Sequence, residues 1–73
     1  MNLIDPSSVE FDDSPTLLGT RSDGVGIWRV GESKGQEIVV LSKSKPTKTD
    51  ENLTPLDSVL RFTDPDSIDW VDE

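Results

Sequence analysis

The groups able to do chemistry gather near the C-terminal end, where Asp64, Asp66, Asp69, Asp72 and Glu73 surround Trp70. Carboxylates at this spacing have three uses. They can work as a general acid–base pair, hold a hard cation, or rim an aromatic anchor. Acid–base work needs a concave pocket that pushes one pKa away from its ordinary value. A chain of 73 residues has little material to enclose one. There is no histidine and no cysteine, which removes the commonest general base and the thiolate ligands of zinc. No enzyme, no cofactor and no small-molecule substrate are expected. The cation use fails on position. A calcium loop begun at Asp64 would place Ile68 fifth and Asp69 sixth, where a ligand and a glycine are required. No metal site is expected. Gly24-Val25-Gly26 is not a dinucleotide fingerprint, because the third glycine and the helix it should open are missing.

The third use fits the residue types. Tryptophan is the residue most enriched among interface hot spots, and carboxylates around it suit a pocket rimmed by lysine and arginine. The candidate partner-binding set is therefore Asp64, Asp66, Asp69, Trp70, Asp72 and Glu73. On an extended segment Asp64 and Asp66 would stand about 6.6 Å apart on one side, spaced like successive phosphates. On a helix the acids would form one stripe beside Ile68 and Val71, frayed at its last turn by the dipole. The competing role for Trp70 is as a lid folded back over the core. Trp28, in mid-strand, reads as core.

The elements that must position these groups centre on residues 24–43. Strands are expected at 16–21, 25–31 and 37–43, joined as an antiparallel meander. Asp23-Gly24 supplies the first turn, and Glu32 to Gln36, with Gly35, the second. Ile38-Val39-Val40-Leu41 is rich in β-branched residues, which suit a pleated surface. A sheet with one wet face alternates apolar and polar residues; these strands are apolar on both faces. Each face then needs a cover, from the two ends of the chain, a second copy or a partner. Residues 42–53 read as a polar loop with three lysines. Thr54-Pro55-Leu56-Asp57 reads as a helix start with a threonine cap, and Leu56, Val59 and Leu60 share one face of a short helix near 55–61. Asp5-Pro6 and Ser14-Pro15 punctuate a polar arm over 1–15, within which Ser7 and Glu10 could cap one turn, or Val9 to Phe11 form a short strand. The fold class is mainly β: a small domain over 16–63, with the polar N-terminal arm and an acidic C-terminal tail over 64–73.

The net charge of −8 is unevenly spread. Residues 1–24 carry five acids and one base, 25–48 five bases and two acids, and 49–73 eight acids and one base, so the thirds stand at −4, +3 and −7. Phosphate binding needs lysine and arginine to displace counterions, which argues against direct nucleic-acid binding. An anionic membrane would repel the chain for the same reason. A basic protein surface would attract and steer it, although such charge also simply keeps small proteins in solution. MNLIDPSS lacks the basic and apolar regions of a secretory signal, so the expected location is the cytoplasm, or the host cytoplasm or virion of a phage. Over roughly residues 24–70 the order hairpin, Ser44-Lys45-Pro46, Val59 to Thr63, Trp70 resembles small actinobacterial domains that accompany helix-turn-helix regulators. The cysteine and early tryptophan–serine motif of that family are missing, and no assignment follows from it.

The leading expectation is a small acidic protein–protein interaction module that binds a basic surface of a partner and inhibits or regulates it, as phage-type inhibitors and nucleic-acid mimics do. The alternatives are a self-associating capsid or assembly subunit that uses the two-faced hairpin, and an antitoxin-like or immunity module.

Overall fold

The three expected strands form in the expected order, inside a larger sheet. The computed structural model describes residues 5–47 and 53–71. β1 (Glu10–Arg21), β2 (Gly26–Ser33) and β3 (Gln36–Ser42) make an antiparallel meander. Two short strands flank it, β4 (Thr54–Pro55) beside β3 and β5 (Ile68–Trp70) beside β1. The order across the sheet is β4-β3-β2-β1-β5, and every pairing is antiparallel. The protein is mainly β, with one short helix, α1 (Leu56–Phe62).

The β2–β3 turn sets the register. Lys34 and Gly35 both take positive φ, 53° and 80°, as a two-residue hairpin turn requires. Ser33 then faces Gln36, and Glu32 faces Glu37. Glu32 is thus a strand residue and not part of the turn. The β1–β2 turn closes with Arg21 donating to the Val25 carbonyl at 2.8 Å, while the Asp23 carboxylate accepts from the Val25 amide at 3.1 Å.

Both faces of the hairpin are covered by the chain itself. On one face Val30, Ile38 and Val40 are buried with Val9 and Leu53, and Phe11 and Trp28 pack against them. The Trp28 indole donates to the Ser42 carbonyl at 3.2 Å. On the other face Ile27 and Val39 are buried with Val59 of α1 and Ile68 of β5, joined by Leu18, Leu56 and Leu60. Val39 and Val40 are each fully buried, on opposite faces. Ile38, Val39 and Val40 of the apolar run of β3 are therefore buried on both sides, as their composition demanded, while Leu41 is exposed.

Several local expectations differ from what is seen. β1 reaches back to Glu10, into the segment expected as a polar arm, and the capping turn proposed for Ser7 and Glu10 does not form. Instead Asp5 accepts from the Ser7 amide at 3.0 Å above a single 3-10 turn, Pro6–Ser8. Pro15 is tolerated within β1 because the register slips between Phe11 and Thr16, where β2 supplies only Val30 opposite Asp12 to Pro15. Prolines sit in strands at such bulges because they have no amide to donate. Thr54 does not cap α1. It is drawn into β4 opposite Val39, so Pro55 takes the cap position without a side-chain bond. The acidic segment forms neither a helix nor a free extended strand through Asp64 and Asp66. It makes a 3-10 turn, Pro65–Ser67, and then β5. Parts of the expected arm and of the lysine loop, residues 1–4 and 48–52, lie outside the described residues. Among the described residues no helix is long and apolar enough to cross a membrane.

Candidate functional site

β5 is where the sequence-predicted site residues are sorted. Its pairing with β1 places Ile68 opposite Arg21, Asp69 opposite Thr20 and Trp70 opposite Gly19. Alternation along a strand sends Ile68 and Trp70 to one face and Asp69 to the other. Ile68, 6% exposed, closes the core, whereas Trp70 stays 44% exposed. The lid is therefore Ile68. Pairing continues past β5, since the Val71 amide donates to the Leu18 carbonyl at 2.9 Å. Gly19 makes this close approach feasible. A Cβ there would lie 2.9 Å from Ile68 Cγ2 and 3.1 Å from the Asp69 carbonyl.

Asp64 and Asp66 serve the turn before β5. The Asp64 carboxylate accepts from the Asp66 amide at 3.0 Å, and its carbonyl accepts from the Ser67 hydroxyl at 2.7 Å. This folded Asx turn replaces the extended spacing that would have imitated phosphates. Asp64, Asp66 and Asp69 are all exposed. Asp72 and Glu73 lie outside the described residues. Among the described residues, Asp64, Asp66 and Asp69 do not assemble the predicted carboxylate rim around Trp70.

A different set of side chains meets Trp70. An open groove of about 440 Å³ lies between the start of α1 and the end of β5. Leu18, Leu56, Trp70 and Val71 give it apolar walls, and Thr16, Arg29 and Glu37 a polar part. Arg29 donates from Nη1 to the Asp12 carboxylate at 2.8 Å, and its Nε lies 3.6 Å from Glu37. That Nε is buried and has no hydrogen-bond partner among the described residues, so the pull of Glu37 on it is Coulombic and not a formed hydrogen bond.

Beyond Glu37 the sheet carries a ladder of glutamates. Glu37 faces Glu32 on β2, and Glu32 faces Glu10 on β1. Directly opposed residues share a face, with Cβ atoms about 4.5–5.5 Å apart. All three side chains are exposed. With Asp12 this end of the sheet sets four carboxylates against two cations, the guanidinium of Arg29 and the exposed Lys34 of the turn. Among the described residues no three acidic side chains converge as a cation would need. The ladder presents a row of charge and not a chelating cage.

The sequence reading missed Glu10, Asp12, Arg29, Glu32 and Glu37, and for one reason. Assigning residues 32–36 to the turn hid the Glu32–Glu37 pairing, which a turn centred on Lys34-Gly35 would have exposed. Glu10 needed the β1 register, which Pro15 obscured.

No protein-family model, curated protein or solved structure matches this chain.

Proposed function

We propose that this chain is a small acidic protein–protein interaction module, without catalytic activity, that binds a basic surface of a partner protein and inhibits or regulates it. The observation that carries this reading is the shared groove: Trp70, half exposed on the outermost strand, opens onto the same space as Glu37. An aromatic anchor beside an exposed carboxylate, at the head of a row of further carboxylates, suits a partner that offers apolar side chains among lysines and arginines. The net charge of −8 supports the same choice and disfavours nucleic acid and anionic lipid. Among the described residues the lysines are divided, with Lys34 before β3 and Lys43 and Lys45 after it.

The assembly-subunit alternative drew on a hairpin with an uncovered apolar face. Val9, Leu53, α1 and Ile68 cover both faces, so the first reading is the better supported of the two. An antitoxin or immunity role differs only in the identity of the basic partner and is a case of the same proposal.

Affinity capture from the native host tests it, with the protein immobilised and retained proteins identified by mass spectrometry in low salt and in about 1 M salt, where screening acts within about 3 Å. The expected result is a basic protein held in low salt, released in high salt and lost with Trp70→Ala. A partner that is not basic, or one held equally at both salt concentrations, would sink the proposal.

A further inference from the structure

We infer that the groove and the glutamate ladder form one docking slot, and that its occupant is an extended segment of the partner carrying a large apolar side chain followed by arginine or lysine. This rests on the function proposed above and names the chemistry of its partner.

The slot has an apolar end and an acidic end, joined at Glu37. Leu18, Leu56, Trp70 and Val71 wall the first. Glu37, Glu32 and Glu10 run away from it across three neighbouring strands. Arg29 offsets only part of this charge, because its one guanidinium is shared between Asp12 at 2.8 Å and Glu37 at 3.6 Å. Among the described residues no ion pair reaches Glu10 or Glu32. An arginine stem can lie along apolar surface while its head reaches a carboxylate, and a guanidinium meets carboxylates bidentately. In an extended segment, side chains two residues apart face the same way, about 6.6 Å apart, so an apolar residue can enter the groove while the residues two and four places on reach the ladder. A second copy of this chain is the poorer occupant on charge grounds. It would bring another −8 against the same carboxylates.

The test is an amide NMR titration of the full chain with an acetylated, amidated peptide, leucine-serine-arginine-serine-arginine. The expected result is a shift of the Leu18, Glu32, Glu37 and Val71 amides and of the Trp70 indole, weakened about tenfold or more in the Glu32→Gln, Glu37→Gln double variant. Replacing the peptide's leucine by serine, or its arginines by glutamates, should weaken binding at least as much. Asp64→Asn with Asp66→Asn should leave it within about twofold. Shifts confined to Asp64–Asp69, with the glutamate variant neutral, would overturn the slot yet leave an acidic interaction module in place. No shift at millimolar peptide also overturns it, and the salt-dependent capture then decides the broader function separately.

Discussion

Glu32 is held between two like charges, Glu10 on β1 and Glu37 on β3. Opposed like charges are destabilising, by an amount comparable to the roughly 0.2–1 kcal/mol that a favourable cross-strand pair contributes. Glu32→Gln relieves both contacts without changing the shape of the side chain. It should raise the melting midpoint by several degrees, at about 4–8 °C per kcal/mol for a chain of this size. Added salt should shrink the difference by screening the exposed carboxylates. An unchanged midpoint in low salt would mean that the three side chains splay far enough apart to ignore one another. Gly19 is the opposite case, a residue that serves packing alone. Gly19→Ala puts a methyl group 2.9 Å from Ile68 Cγ2 and 3.3 Å from Trp70 Cα. Overpacking of this kind costs about 1–3 kcal/mol. Urea denaturation should show that loss, with Trp70 fluorescence shifting toward the solvated value as β5 lifts. A variant as stable as the parent would show that β5 is not seated on Gly19.

At the scale of elements, the central hairpin was legible because its sequence allows little else. Ile38-Val39-Val40 fits a strand buried on both sides, and Lys34-Gly35 fits a tight turn. The flanking elements were not legible, and for separate physical reasons. Pro15 and the acids before it suggest a broken chain, yet a bulge absorbs them within β1. Thr54-Pro55 reads as a helix start until the edge of β3 offers its backbone a ladder. β5 has three residues, two of them exposed, and only its pairing with Gly19 to Arg21 defines it. Tertiary pairing, which local periodicity cannot report, decided all three. The candidate groove was half legible: Trp70 was singled out, but Glu37, which lines the same groove, comes from a strand distant in sequence. β5 also separates two roles that its composition leaves mixed. Ile68→Ala should cost about 2–5 kcal/mol, most of the roughly 3–5 kcal/mol that a core of this size supplies, and leave the chain largely unfolded by circular dichroism. Trp70→Ala, at a half-exposed position, should cost about 1 kcal/mol or less while abolishing partner capture. Equal destabilisation by the two would return Trp70 to the core and remove it from the site.

For the molecule as a whole, covering both hairpin faces from within one chain predicts a monomer, and light scattering after size exclusion should give the mass of one chain, 8.0 kDa. A dimer at moderate salt would revive the assembly alternative, with the groove as its interface. The same charge that would recruit a partner acts against the isolated fold. Eight net negative charges on a small body repel one another, and the glutamate ladder concentrates part of that repulsion on one sheet face. Salt should therefore act in opposite directions on folding and on binding. From low salt to about 0.5 M, where screening lengths fall to a few ångströms, the midpoint of unfolding should rise while affinity for the basic partner falls. Glu32→Gln should flatten both responses, because it removes the charge at the centre of the ladder. Two slopes of the same sign would separate the surface that destabilises the fold from the surface that binds, and would place the docking site away from the ladder.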